Sequence, residues 1–142
     1  MNIWIINEYA GSQYHGMEFR HYYLAKEFLN EHSVTIISSS YSHLLEKLPT
    51  KNIEFIDGVE YLWLKMPKYG NAHSKKRVLK WFLFAFKCFF LPLKLSKPDI
   101  IIVSPIAPFS ILPSWLISKF YKSKLIYEIR DIWHLWFWQQ KY

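Results

Sequence analysis

Two glycines five residues apart, Gly11 and Gly16, lie in a loop that follows the apolar run Ile3–Trp4–Ile5–Ile6 and precedes a helical pattern. Ser12 and His15 stand in the same loop. A strand, a glycine-bearing loop and a helix N-terminus in that order form a place where α/β proteins bind anionic or phosphorylated ligands. The residues narrow that chemistry. A phosphate-cradling P-loop continues from its second glycine with Lys and Ser/Thr, whereas Met17 and Glu18 follow here. A glutamate next to the second glycine's successor repels a terminal phosphate rather than holding it, which argues against an ATPase or GTPase. The dinucleotide fingerprint also fails, because Gly11-Ser12-Gln13-Tyr14-His15-Gly16 lacks the first close glycine pair. Both glycines also fit a plain tight turn between strand and helix.

A second group of reactive side chains stands at the other end of the chain. Glu128, Arg130 and Asp131 close the apolar segment KLIYEIRD, and Ser104 and Pro105 close the segment PDIIIVS. In open parallel sheets, ligands bind beyond the carboxyl ends of the strands. These segments and the Gly11–Gly16 loop are therefore expected to converge on one sheet edge. An aspartate beside an arginine orients a hydroxyl and leaves a guanidinium for a phosphate, and the same pair also fits a structural ion pair. His15, His21 and His134 share no recognised ligand spacing with a cysteine or carboxylate, so no metal site is expected.

The elements that must position these groups alternate. Residues 33–39 read as a second buried strand, and residues 53–64 as a hairpin about Asp57–Gly58. Helical patterns occupy residues 17–29, 75–91 and 109–121, with strands over 98–104 and 124–131. Strands alternating with helices predict an α/β fold with a mainly parallel sheet and right-handed crossovers. A chain of 142 residues, 51% hydrophobic and 20% aromatic, fits one ordinary domain with a real core and is not disordered. The single Cys88 allows no internal disulfide and reads as a small buried hydrophobe in a reducing compartment. The opening residues carry no signal-peptide pattern, which points to a cytoplasmic protein.

The net charge of +7 clusters mid-chain. Lys76, Lys80, Lys87 and Lys94 recur at helical spacing among Trp81, Phe82, Phe84, Phe86, Phe89 and Phe90. The run is too short and too charged to span a bilayer. A lysine stripe on an aromatic helix suits an anionic membrane surface, where each lysine contributes about 1 kcal/mol. Lys76, Lys80, Trp81, Lys87 and Lys94 are the expected membrane contacts, although a crossover helix with solvated lysines fits the same pattern. Nucleic-acid binding would need exposed basic residues beside polar base-reading side chains, and here the lysines are embedded among aromatics.

INEYAGSQYHGMEFRHYYLAKEF, TIISSSYSHLLEKLP, IDGVEYLWLKMPKY and IYEIRDIW together resemble the N-terminal domain of family 4 glycosyltransferases, of the subgroup that assembles capsule, O-antigen and exopolysaccharide. The resemblance covers residues 1–133. It implies the N-terminal half of a GT-B fold, a Rossmann-like three-layer sandwich, in an enzyme that transfers a sugar from a nucleotide sugar with retention and without a bound metal or other cofactor. It also implies a lipid-linked glycan acceptor and a peripheral position on the inner face of the plasma membrane. By the same resemblance, Gly11, Ser12, His15, Gly16 and Ser104 line the substrate cleft, and Arg130 and Asp131 act at the reacting centre, with Asp131 positioning the acceptor or the sugar. Many wider relatives carry His-Asp where this chain has Arg130-Asp131. Residues 134–142 depart from the family pattern, and the donor-binding C-terminal domain is not among these residues. The expectation is thus an acceptor-side half that needs the missing domain or a partner chain for catalysis. Two rivals are a non-catalytic membrane-docking subunit of a split glycosyltransferase and a small domain that binds a phosphorylated ligand.

Overall fold

Ile3 and Ile5 point to one face of a strand, and Trp4 and Ile6 to the other. All four are buried because both faces are covered. The computed structural model describes residues 1–68 and 75–129. In chain order its elements are β1 (Asn2–Ile6), α1 (Arg20–Phe28), β2 (Ser33–Ser39), β3 (Ile53–Ile56), β4 (Val59–Leu64), α2 (Lys75–Cys88), β5 (Ile100–Val103), α3 (Ile111–Tyr121) and β6 (Lys124–Tyr127). Short 3-10 turns stand at Leu91–Leu93 and Pro108–Ser110.

The six strands form one sheet in the order β3-β4-β2-β1-β5-β6. Every neighbouring pair is parallel except the β3–β4 hairpin. That hairpin turns through Asp57 (φ 50°) and Gly58 (φ 87°), both left-handed as a two-residue type I′ turn requires. One core joins Trp4, Ile6, Ile37, Leu62 and Val103 to Phe84, Cys88 and Ile117 of α2 and α3. The opposite core joins Ile3, Ile5, Val34, Ile36 and Tyr61 to Ala25 of α1, with Leu24 and Phe28 packed alongside. The fold is a Rossmann-like three-layer α/β sandwich. Each fully buried aliphatic side chain contributes about 1.5–3 kcal/mol to it. Burial and nearby Glu8 push the Cys88 thiol well above its usual range, so it packs as an apolar side chain.

Several boundaries differ from the sequence pattern for local reasons. The first helix begins at Arg20 rather than Met17, because Ala10 bridges Glu18, the Gly11 amide donates to the Glu18 carbonyl and Met17 is left-handed at φ 69°. The second helix stops at Cys88, four residues before Pro92, whose ring clashes with that carbonyl and supplies no N–H. The last strand ends at Tyr127.

The largest departure concerns the lysine stripe. Lys80, Phe84 and Cys88 recur every four residues on the inward side of α2, and all three are buried. Lys80 is fully enclosed, with its ammonium 4.7 Å from the Tyr9 ring centroid. Trp81 turns inward as well, donating its indole N–H to the Tyr9 hydroxyl at 3.1 Å. Lys80 is therefore no membrane contact in this fold, and Trp81 is half-buried. Lys76 is exposed, Lys87 is half-buried and donates to the Lys65 carbonyl, and Lys94 lies beyond the helix. The outward side of α2 instead presents Leu79, Phe82 and Phe86, and α3 presents Leu112, Leu116 and Phe120. Among the described residues no helix is long and apolar enough to cross a membrane.

Candidate functional site

The crossover through α1 lies on one face of the sheet, and those through α2 and α3 lie on the other. The winding therefore reverses between β1 and β5, and the carboxyl ends of these strands are where open α/β sheets bind ligands. Three residues extend the ladder past those ends. The amide of Asn7 donates to Ile37 O at 3.1 Å, that of Ser104 to Ile6 O at 3.0 Å, and that of Glu128 to Val103 O at 2.9 Å. Their side chains thus sit on rigid backbone just past the strand ends.

His21, in the first turn of α1, joins them. Its Nδ1 lies 3.5 Å from Asn7 Nδ2, and its Nε2 lies 3.5 Å from Glu128 Oε2. Asn7 Oδ1 already accepts the Tyr9 amide at 2.7 Å, which turns the Asn7 NH2 toward the ring. Nδ1 is then the acceptor, and Nε2 carries its proton toward the carboxylate. Arg20 pairs with the other Glu128 oxygen. Burial opposes the charge on Glu128, but the Ser104 hydroxyl, Arg20 and His21 outweigh it and hold the carboxyl below its usual range. Asn7, His21 and Ser104 are buried, whereas Arg20 remains 57% exposed and keeps part of its guanidinium for a ligand. Asn7, His21 and Ser104 are enclosed and act as supports, so the groups open to a ligand are the partly exposed Glu128 carboxylate and the Arg20 guanidinium, a pair suited to hydroxyls and to an anionic group.

The glycine loop is built differently. Its backbone donors are spent internally: Gly11 N–H on Glu18 O at 2.9 Å, Gly16 N–H on Ser12 O at 2.9 Å, and His15 N–H on Ser12 O at 3.1 Å. The Tyr14 amide donates to Ser12 Oγ at 3.2 Å. A Cβ on Gly11 would lie 2.0 Å from the Gly16 carbonyl oxygen, so the two glycines exist for this backbone approach. Gly16 itself is left-handed at φ 77°. These amides form no phosphate cradle, which corrects that expectation for Gly11 and Gly16.

His15 and Ser12 also have a structural task here. Ser12 Oγ lies 3.1 Å from His15 Nδ1, and His15 Nε2 lies 3.1 Å from Glu54 Oε2. The composition is that of a hydrolase triad, but Ser12 is fully buried and already engaged with loop amides. No substrate reaches it as a nucleophile, so the trio is a clamp. Burial lowers the His15 pKa, and Glu54 only partly restores it. Glu54 also accepts the Trp63 indole N–H at 3.0 Å and the Thr50 amide at 2.8 Å. Burial opposes its charge as well, yet the bonds from Thr50 and Lys51, with His15, keep its carboxyl below the ordinary range.

The expected convergence is thus divided. The loop leans over β4, where the Tyr61 hydroxyl donates to Gly11 O at 2.8 Å and the His15 ring lies 5.0 Å from that of Trp63. Ser104 instead gathers with Glu128, Asn7 and His21 on the β1/β5/β6 side. Arg130 and Asp131 lie outside the described residues, as do His134 and the 134–142 tail. Sequence reasoning gave no role to Asn7 or Arg20 and read His21 as a packed or loop residue. The position of Asn7 as the first polar residue after the β1 run is the signal that marks it. Among the described residues no group of three His, Cys, Asp or Glu side chains is placed to hold a metal ion.

No protein-family model matches this chain, and no curated protein sequence does either. Among solved structures it is similar to the C-terminal domain of a hydrogenase from Pyrococcus furiosus, with 12% identity, a TM-score of 0.55 and 90% of each chain covered. At that identity the likeness shows the fold alone.

Proposed function

We propose that this chain is the acceptor-side half of a membrane-associated, retaining glycosyltransferase that takes a sugar from a nucleotide-sugar donor and delivers it to a lipid-linked glycan. The observation that carries this reading is the half-buried Glu128 carboxylate, backed by buried Asn7, His21 and Ser104 at the β1/β5 switch point, with Arg20 at its margin. A carboxylate held ionised by an enclosed hydroxyl and imidazole accepts hydrogen bonds from sugar hydroxyls. The exposed part of Arg20 offers charge to a phosphate. Arg130 and Asp131 would complete this side of the cleft, and donor binding and transfer would require the second domain or a partner chain.

Membrane contact rests on a different set of residues from those of the lysine stripe. Leu79, Phe82 and Phe86 on α2 and Leu112, Leu116 and Phe120 on α3 are exposed apolar side chains on two adjacent helices. Lys65, Lys87 and Lys94 line one pocket with Phe90 and Leu93. Burial, then repulsion from Lys94 and Lys65, lowers the pKa of the Lys87 ammonium, the sign of positive charges crowded together. Apolar side chains beside such charge favour an anionic lipid surface.

The test is calorimetric titration of the chain with a polyprenyl-diphosphate-linked oligosaccharide and, separately, with nucleotide sugars. Saturable acceptor binding that Glu128→Gln weakens about tenfold, with the circular dichroism spectrum unchanged, is the expected result. Failure to bind any lipid-linked saccharide, or equal affinity in the folded variant, overturns the reading.

A further inference from the structure

A second polar cavity lies at the amino ends of the strands, away from Glu128. The ladder registers Trp4 of β1 with Thr35 of β2, Thr35 with Glu60 of β4, and Glu60 with Phe55 of β3. These four residues form one row on the sheet face that α2 and α3 cover, because Trp4 belongs to the core beneath those helices. The next row on that face, Ile6, Ile37 and Leu62, is apolar and buried. The first row breaks the pattern with a buried threonine and a half-buried carboxylate. Thr35 donates its hydroxyl to Glu60 Oε2, which leaves Oε1 for another donor. Beside the row runs the segment between the Leu91–Leu93 turn and β5. Asn2 Nδ2 fixes it there by donating to Ser96 O at 3.0 Å and to Lys97 O at 2.9 Å. Row and segment border a cavity of about 570 Å³, lined also by His32, Lys94 and Lys97.

Two ring nitrogens of this lining are shut off from solvent and have no hydrogen-bond partner. They are Nε1 of fully enclosed Trp4, which can only donate, and Nδ1 of His32. Native structures leave few buried donors unmatched, because each forfeits its bond to water. The cavity has many times the volume of about 30 Å³ that one water occupies, so it accommodates a ligand with several polar groups. We infer that this cavity binds a small phosphorylated polyol, with its phosphate at Lys94 and Lys97, a hydroxyl on Glu60 and an oxygen accepting the Trp4 indole N–H. Simpler occupants leave part of the lining unmatched. A bare anion meets the Glu60 carboxylate as a like charge, and a neutral sugar leaves both ammonium groups unused. The exposed Phe55 ring at the outer end of the row offers an apolar face to the carbon chain of such a ligand.

The experiment is an NMR titration of the full chain, read at the assigned Trp4 indole N–H peak. The probes are glucose 6-phosphate, glycerol 3-phosphate, inorganic phosphate and glucose, each added separately. At least one of the two phosphorylated polyols should move that peak saturably, and bind about tenfold more tightly than phosphate or glucose. Trp4 stays in place throughout, since removing it would cut into the core. Replacing both lysines, Lys94→Gln with Lys97→Gln, should weaken the polyol phosphate about tenfold with the circular dichroism spectrum unchanged. Glu60→Gln keeps an oxygen to accept the Thr35 hydroxyl and should lower the preference for polyol phosphate over inorganic phosphate about tenfold, because the repulsion of phosphate goes and the hydroxyl acceptor weakens. A Trp4 peak that no probe moves overturns the inference and leaves water as the partner of the indole. Inorganic phosphate binding as tightly as the polyol phosphates also overturns it, as does a shift that survives loss of both lysines. The cavity lies at the opposite end of the strands from Glu128, so this titration and the acceptor titration succeed or fail separately.

Discussion

Gly11→Ala is the sharpest perturbation the first loop offers. The new methyl carbon would stand 2.0 Å from the Gly16 carbonyl oxygen, 3.0 Å from Met17 Cβ and 3.1 Å from the Gly16 carbonyl carbon. Two of these neighbours are backbone atoms, so no side-chain rotation relieves the contact, and the loop must open. Opening it endangers the bonds from Gly11 N–H to Glu18 O, from the Tyr61 hydroxyl to Gly11 O and from Gly16 N–H to Ser12 O. Each such bond contributes about 0.5–1.5 kcal/mol net, and a buried group left without a partner costs about 1–3 kcal/mol. A loss of about 3–5 kcal/mol is expected, a large share of what a domain of this size possesses. Gly58→Ala supplies the control. Its Cβ meets only Leu29 Cδ1, at 3.4 Å, so the cost is confined to holding a non-glycine residue at φ 87°, about 1–2 kcal/mol. Urea unfolding followed by tryptophan fluorescence measures both, provided the m-values agree. If Gly11→Ala costs no more than Gly58→Ala, the loop relaxes freely, and close backbone approach is not what requires its two glycines.

The His15–Glu54 pair should make stability fall on acidification. Burial puts the folded pKa of His15 below its ordinary 6.5, so the stability it confers is complete above that value and is lost as pH falls through the folded pKa; depressed Glu54 adds a second loss below its ordinary 4.5. Chemical-denaturation midpoints from pH 8 to pH 4 should fall less steeply for His15→Gln than for wild type, and parallel profiles would rule the pair out as the source. Tyr61→Phe removes the hydroxyl that serves the Gly11 carbonyl at 2.8 Å and should cost about 1–3 kcal/mol in urea unfolding, whereas a change near zero would mean that water replaces it.

The sheet was legible wherever burial on both faces wrote an uninterrupted apolar run. IWII and IIIV are such runs, and both lie in parallel strands. Asp57–Gly58 marked the hairpin because only residues tolerant of positive φ suit its turn. The orientation of α2 was not legible. Its sequence is apolar on both sides, so periodicity alone gave no reason to turn Lys80 inward and Phe82 and Phe86 outward. At the candidate site, Ser104 and Glu128 could be placed because they follow strands. His21 could not, since it meets Glu128 only after a helix from early in the chain packs against a strand from its far end. The glycine spacing was seen, but its cause was the approach of one loop backbone to another, a pattern that sequence alone does not separate from a ligand cradle.

Glu54 stands at the meeting of two segments nearly forty residues apart in the chain. Its Oε2 meets the His15 ring and accepts the Trp63 indole N–H, and its Oε1 accepts the Thr50 amide and the Thr50 hydroxyl. Loop and hairpin are therefore coupled in opening, because releasing either strips partners from the same side chain. A ligand that fastens the hairpin would, by the same linkage, stiffen the Gly11–Gly16 loop without touching it.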